Sequence, residues 1–205
     1  LRAWGGDGAA RVLRADAEHN AVLMNFLGWV GEGSYHLRDV LDLADRLHTC
    51  PVDTDAFPSL EANLARRVAW AAARFAESGD GPAARDVVEA EELLASLLAG
   101  SAERVLLHGD FQPKNVIVGE HGLGAVDPQP ALGPDTFDVA LWVVKCGHDH
   151  SLLECIGEVS DLRSEIDVEL LRQWCWALSV LESRPYLGAV NNHRTDFIDL
   201  VRDLV

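Results

Sequence analysis

Three oxygen-bearing side chains stand in a fixed order within the stretch Leu106–Val139. Asp110 sits in His108-Gly109-Asp110, Asn115 follows it by five positions, and Asp127 lies in Val126-Asp127-Pro128. That is the order phosphoryl transfer requires: one carboxylate accepts a hydroxyl proton, and a neutral amide oxygen plus a second carboxylate hold Mg²⁺ on the phosphates. Hard oxygen donors suit that ion. Taken singly, each residue could equally be ordinary turn chemistry, because Asn and Asp favour loops. Gln112 and Lys114 flank Asp110; Lys114 could neutralise a moving phosphoryl group or simply sit at the surface.

The neighbouring residues define the elements that must hold these groups. Apolar runs at Arg104–Leu107 and Val116–Val118 bracket the polar loop. The β-branched Val116, Ile117 and Val118 favour a strand, and Gly122–Val126 reads as a turn entering another strand. Asp110, Asn115 and Asp127 therefore fall at strand ends and loops, where a rigid scaffold can aim them. Thr136 opens a helix to about Cys146, with Asp138 near its start.

The rest reads as mainly helical. Leu1–Trp4 and Ala9–Leu13, separated by Gly5-Gly6-Asp7-Gly8, predict a hairpin. Asp16–His19 is a turn, and Ala21–Phe26 an apolar strand. Gly28–Gly33 lacks the dinucleotide fingerprint and reads as a connector. Ser34 is a predicted cap for a helix to about Thr49, with Leu37, Val40, Leu41, Ala44 and Leu47 on one face. Cys50–Phe57 is a loop. A second helix begins at Ser59, with Leu60, Leu64, Val68, Ala71 and Phe75 at helical spacing, and Gly79–Pro82 stops it. A third runs from about Ala83 to Leu98. Ser151–Glu158 predicts one or two helical turns, Ser164–Leu181 a clear helix with Trp174 and Cys175 facing inward, and Asn191–Val205 a last amphipathic helix.

Composition narrows the function classes. The chain has 205 residues, 48% of them hydrophobic, enough to bury a core. Its net charge of −16 opposes nucleic acid and anionic lipid and is compatible with a cationic substrate. Four scattered cysteines without a CxxC read as reduced cytosolic thiols, and no signal peptide or long apolar run is present, so a cytoplasmic protein with no membrane span is expected. GxSxG, HExxH and Walker A sequences are missing, which leaves hydrolase and P-loop readings without support. His148-Asp149-His150 has ligand types but no third ligand at zinc spacing, and reads as a solvated loop.

The motifs HGDFQPKN, VDPQP and GPDTFDVA together resemble the aminoglycoside phosphotransferase family, whose fold is like that of protein kinases. The DPQP variant, with LMNFLGWVGEGS upstream, is more similar to the branch holding streptomycin and hydroxyurea phosphotransferases. The resemblance implies an α+β, mainly helical fold: a kinase-like C-terminal lobe at 31–205, preceded at 1–30 by a hairpin and hinge remnant of an N-terminal lobe that is largely missing. It implies Mg²⁺ and ATP (or another nucleoside triphosphate), Asp110 as general base, and Asn115 and Asp127 as metal ligands. Hinge backbone at Met24, Asn25 and Phe26 would bind adenine, although a plain buried strand fits the same pattern, and Trp29 would pack on the hinge. His108 would pack and hydrogen-bond rather than move protons. Asp138 would steady the catalytic loop through backbone N–H groups, unless Asp135 does so.

The expected acceptor is a hydroxyl on a cationic or polyhydroxyl small molecule, a streptomycin-like aminoglycoside first; Asp149, Glu154, Glu182, Asp196 and Asp199 are acids that could grip it and Trp174, Trp176 and Tyr186 could line the pocket, although each reads more readily as core or solvated face. A kinase of a sugar or choline-like metabolite, or a non-catalytic remnant of such a kinase, are the rivals. The only lysines are Lys114 and Lys145, so the family's phosphate-binding lysine has no counterpart. A weak or inactive truncated chain is the expectation, and its open strand edge could drive self-association as a homodimer.

Overall fold

The computed structural model describes residues 1–29, 35–51, 53–78, 81–101, 104–146, 151–184 and 192–201. The order is β1 (Val12–Asp16), β2 (Ala21–Met24), α1 (Leu37–His48), α2 (Leu60–Ser78), α3 (Gly81–Gly100), β3 (Val105–Leu107), β4 (Val116–Gly119), β5 (Gly122–Ala125), β6 (Ala131–Gly133), α4 (Thr136–Cys146), α5 (Leu152–Leu162), α6 (Val168–Glu182) and α7 (Asn192–Val201). The strands form three antiparallel pairs, β1–β2, β3–β6 and β4–β5.

Two apolar clusters build the body. The larger is helical and gathers α2, α3, α4, α5, α6 and α7, with α6 buried almost continuously from Trp174 to Glu182. The smaller joins α1 to Trp4, Phe111, Val116, Ala125 and Trp142. Successive strand residues point to opposite sides, and β3 uses this: Leu106 enters the smaller cluster and Leu107 the larger. The loop after β3 thus leaves from the seam between two cores. Aromatic pairs reinforce both sides, Phe137 edge-on to Trp174 at 5.7 Å and Phe111 against Trp142 at 5.4 Å. Such pairs add ~1 kcal/mol each beyond their burial.

The N-terminal segment departs from expectation. Leu1–Trp4 does not pair with Ala9–Leu13; β1 pairs with β2 across a turn in which the Asp16 carboxylate accepts from the Glu18 and His19 N–H groups. Positive-φ glycines at 5, 6 and 8 roll residues 1–8 into turns. Trp4 is buried instead, its indole N–H donating to Leu47 O at 2.9 Å. Gly8 lies so close to α1 that a Cβ there would sit 3.1 Å from Leu47 Cδ2. The burial of Trp4 on α1 outweighs the local hairpin signal. The β1–β2 hairpin leaves Leu13, Val22 and Leu23 exposed.

Elsewhere the differences are smaller. His36 caps α1, with its N–H donating to Asp39; the predicted cap Ser34 and most of the Gly28–Gly33 connector lie outside the described residues. α5 runs three turns to Leu162, started by a reciprocal Ser151/Glu154 cap. β6 has no counterpart in the sequence reading: three residues flanked by prolines carry no periodicity, and only pairing with β3 makes them a strand. No described helix is long and apolar enough to cross a membrane.

Candidate active site

The loop after β3 is fixed from beneath by a buried carboxylate. Asp138, in the first turn of α4, accepts from the N–H of His108 at 2.7 Å and of Gly109 at 2.9 Å, and from His48 Nε2 on α1 at 3.0 Å. Burial alone would raise its pKa. The His48 hydrogen bond, attraction to the His48 and His108 rings, and the Gly109 N–H outweigh that and hold it below the usual value. Asp135 is exposed and serves its own helix, accepting from Thr136 N and Oγ1.

The loop is clamped from above by the segment after β5. Gln129 N–H donates to His108 O at 2.8 Å. Gly109 has φ +75°, and a Cβ there would lie 2.0 Å from Gln129 O, so only glycine fits. His108 is wholly buried between Trp4 and Phe111. Its Nε2 faces Val126 O at 3.0 Å and its Nδ1 accepts from Asp110 N at 3.3 Å, the pattern of a neutral ring. Burial lowers its pKa, against the attraction of Asp138, Val126 O, Asp110 and Asp127.

Asp110 is held at both oxygens. Oδ1 accepts from Gln112 Nε2 at 2.6 Å, and Oδ2 from Asn115 Nδ2 at 2.9 Å. The same Asn115 amide reaches Asp110 O at 2.8 Å. With its NH₂ turned to Asp110, Asn115 keeps Oδ1 as the atom a cation would need. Val126 N–H donates to Asn115 O at 2.9 Å, so the pairing continues one step past the β4–β5 ladder, and Asp127 is the next residue along. Asp127 adopts φ +54° and is exposed. An amide oxygen and a carboxylate are hard oxygen donors of the kind Mg²⁺ takes.

Two clefts open on either side. A cleft of ≈ 770 Å³ is lined by Asp127 and Pro128 together with Met24, Asn25, Phe26 and Ile117. A smaller one, ≈ 200 Å³, is lined by Asp110, Gln112, Lys114, Gln129, Glu182 and Trp70 among others. The segment 127–130 is their common wall. Asp110 and Asn115 are thus in direct contact, Asp127 follows the residue that pairs with Asn115, and the candidate hinge residues share the larger cleft with Asp127. Asn25 is committed there to Arg11, the residue before β1: its N–H donates to Arg11 O at 3.0 Å, and its side chain accepts from Arg11 N at 2.6 Å. Met24 and Phe26 are exposed rather than a buried strand, and Trp29 packs edge-on to Phe26 at 5.2 Å.

A sequence model of the family described as "Aminoglycoside/hydroxyurea antibiotic resistance kinase" matches residues 1–184. The chain belongs to this family. The streptomycin 6-kinase of Streptomyces griseus is 32% identical over 155 residues, covering 69% of this chain and 47% of that protein. The streptomycin 3''-kinase of Klebsiella pneumoniae is 32% identical over 149 residues, covering 67% and 51%. The chain thus spans about half the length of the curated relatives it matches. Choline kinase from Cryptosporidium parvum Iowa II superposes with a TM-score of 0.63 at 12% identity, over 99% of this chain and 76% of that one. At such identity the likeness is one of fold, and the fold is protein-kinase-like.

In this chain the possible acidic grip on a substrate is not what the described residues form. Glu182 faces the smaller cleft but is bound by Arg67 at 2.7 Å and by Lys145. Burial would raise its pKa; the Lys145 and Arg67 charges bring it down to about 2. Glu154 is spent on the α5 cap at Ser151. Asp196 and Asp199 are exposed on α7, away from this cleft. Trp174 and Trp176 are core rather than lining. Asp149, Tyr186 and the pair His148 and His150 lie outside the described residues.

Sequence reasoning missed His48, Arg67 and Lys145. One signal for Arg67 existed: it falls on the Leu60, Leu64, Ala71 and Phe75 stripe, where the reading chose Val68. The structure buries Arg67 and leaves Val68 half-exposed.

Proposed function

We propose that the protein is an ATP-dependent phosphotransferase that moves the γ-phosphate to a hydroxyl of a streptomycin-like aminoglycoside. The observation that carries the reading is Asp110, held at both oxygens and lining the small cleft, with Asp127 lining the large cleft on the other side of the shared 127–130 wall. Family membership and the two streptomycin kinase relatives support the acceptor class.

In this reading the nucleotide occupies the larger cleft, its base against the backbone of Met24 and Phe26 rather than Asn25. Asn115 Oδ1 and the Asp127 carboxylate would hold Mg²⁺, which neutralises phosphate charge. The acceptor enters from the smaller cleft. Asp110 orients its hydroxyl and takes the proton as the oxygen bonds to the γ-phosphorus and the bond to the departing ADP oxygen breaks. Asp138 and neutral His108 keep the loop in place and move no proton. Lys114 Nζ, 3.6 Å from Asp110 Oδ2, offsets charge at the loop rim. ATP places the reaction in the cytoplasm.

The test is phosphorus NMR of the protein with Mg²⁺, ATP and streptomycin. A new phosphomonoester signal that vanishes in Asp110→Asn is the expected result. Esterification of choline or glucosamine instead would move the assignment to a metabolite kinase. ATP titration without heat would favour a non-catalytic remnant.

A further inference from the structure

Arg67 lies on α2, far in sequence from the loop, yet its guanidinium is 7% exposed and ends beneath Asp110. Its Nη2 donates to Gly109 O at 2.8 Å and stands 3.8 Å from Asp110 Oδ1. Nη1 donates to Glu182 Oε1 on α6 at 2.7 Å, and Nε to Asn63 Oδ1 at 3.2 Å. Glu182 in turn binds Lys145 on α4 and has Arg184 at 3.7 Å. One fork therefore ties the loop to its own helix and to α6.

A buried ion pair is weak evidence for stability, because desolvation offsets most of the attraction. The geometry here serves another end. A phosphoryl group arriving beside Asp110 brings negative charge against a carboxylate. Arg67 at Oδ1 and Lys114 at Oδ2 are the two cations set beside those oxygens among the described residues. Lys114 is 61% exposed and its charge is screened; Arg67 is buried and its charge is not. The bond to Gly109 O fixes the peptide just before Asp110, one unit on from the peptide whose Gly109 N–H the Asp138 anchor holds. Glu182 holds the fork in register from the far side.

We propose that Arg67 is a positioning residue for Asp110, aimed by Glu182, and that it sets how the catalytic carboxylate meets the incoming phosphoryl group. This rests on Asp110 being the general base. Arg67 is not among the residues that line the larger cleft, so its effect falls on turnover rather than nucleotide binding.

The test compares the full chain with Arg67→Met, Arg67→Lys, Glu182→Gln and Asp110→Asn. Hydrogen–deuterium exchange reads the loop without needing activity, and steady-state kinetics reads its consequence. In Arg67→Met, the amides of residues 108–112 are expected to exchange at least about tenfold faster while the α4 and α6 core amides keep their protection. The turnover number should fall about a hundredfold, the cost of a misplacement near 1 Å, with the KM for ATP within about threefold. Arg67→Lys keeps the charge but not the fork, and should recover part of the turnover. Glu182→Gln should fall between. Unchanged loop exchange, or unchanged turnover in a folded Arg67→Met, overturns the proposal. Should Asp110→Asn keep full turnover, the general-base reading fails instead, and loop exchange alone decides whether Arg67 holds the loop.

Discussion

Asn115 donates through one amide nitrogen to both the side-chain carboxylate and the main-chain carbonyl of Asp110, at 2.9 and 2.8 Å. The residue proposed to bind a cation is thus also the one that closes the loop on the proposed base. Asn115→Ala should lower turnover by at least about a hundredfold, on the scale of losing base positioning. Asn115→Asp separates the two roles. It offers a stronger cation ligand but sets a carboxylate against Asp110 Oδ2. We expect it to do no better than alanine at any Mg²⁺ concentration in steady-state assays. Near-normal turnover at raised Mg²⁺ would mean that cation binding is the whole of the role.

Gly109 allows a sharper structural prediction. A Cβ there meets Gln129 O at 2.0 Å, and its φ of +75° disfavours any side chain. Gly109→Ala must push the 127–130 wall away from the loop. Activity should be lost, and the melting temperature should drop by several degrees, as expected for a strained left-handed position costing about 1–3 kcal/mol. A crystal structure of the variant with the Gln129–His108 hydrogen bond intact would contradict this account.

Acid stability follows from Glu182 and His108. The Glu182 pKa is about 2 in the fold against 4.5 when unperturbed. A depressed carboxylate contributes stability that is fully present above the unfolded value and is lost as pH falls from about 4.5 toward 2. The buried His108, whose pKa is lowered below 6.5, acts in the same direction from higher pH, because the unfolded chain binds its proton first. Denaturant titrations should show stability declining below about pH 6.5 and more steeply below 4.5. Glu182→Gln should cost on the order of 3 kcal/mol at neutral pH by leaving Arg67 and Lys145 without their shared carboxylate. The gap to the parent protein should narrow toward pH 2. A gap independent of pH would show that Glu182 is not ionised in the fold.

The stretch 104–146 was legible because its information is local. β-branched runs, a glycine turn and three polar residues in order sufficed to read the strands around 104–126, and α4 was bounded at Thr136 and Cys146 as observed. What escaped depended on partners distant in sequence. β6 exists through β3, Trp4 is buried through Leu47, and Arg67 is tolerated on an apolar stripe only because Gly109 O and Glu182 wait for it. Glu182 read as a substrate acid for the same reason: its type and region were visible, but not the two cations that claim it. His48 carried no pattern that would link it to Asp138, ninety positions away.

The seam at β3 has a mechanical corollary. Leu106 and Leu107 work like a rivet through two plates, each locked in a separate apolar body. Sliding one plate against the other drags the adjoining loop with it and leaves no slack to absorb the movement. Adjustment of Asp110 by sequence drift is therefore open mainly to rim positions such as Gln112 and Lys114, while the rivet itself stays closed to change.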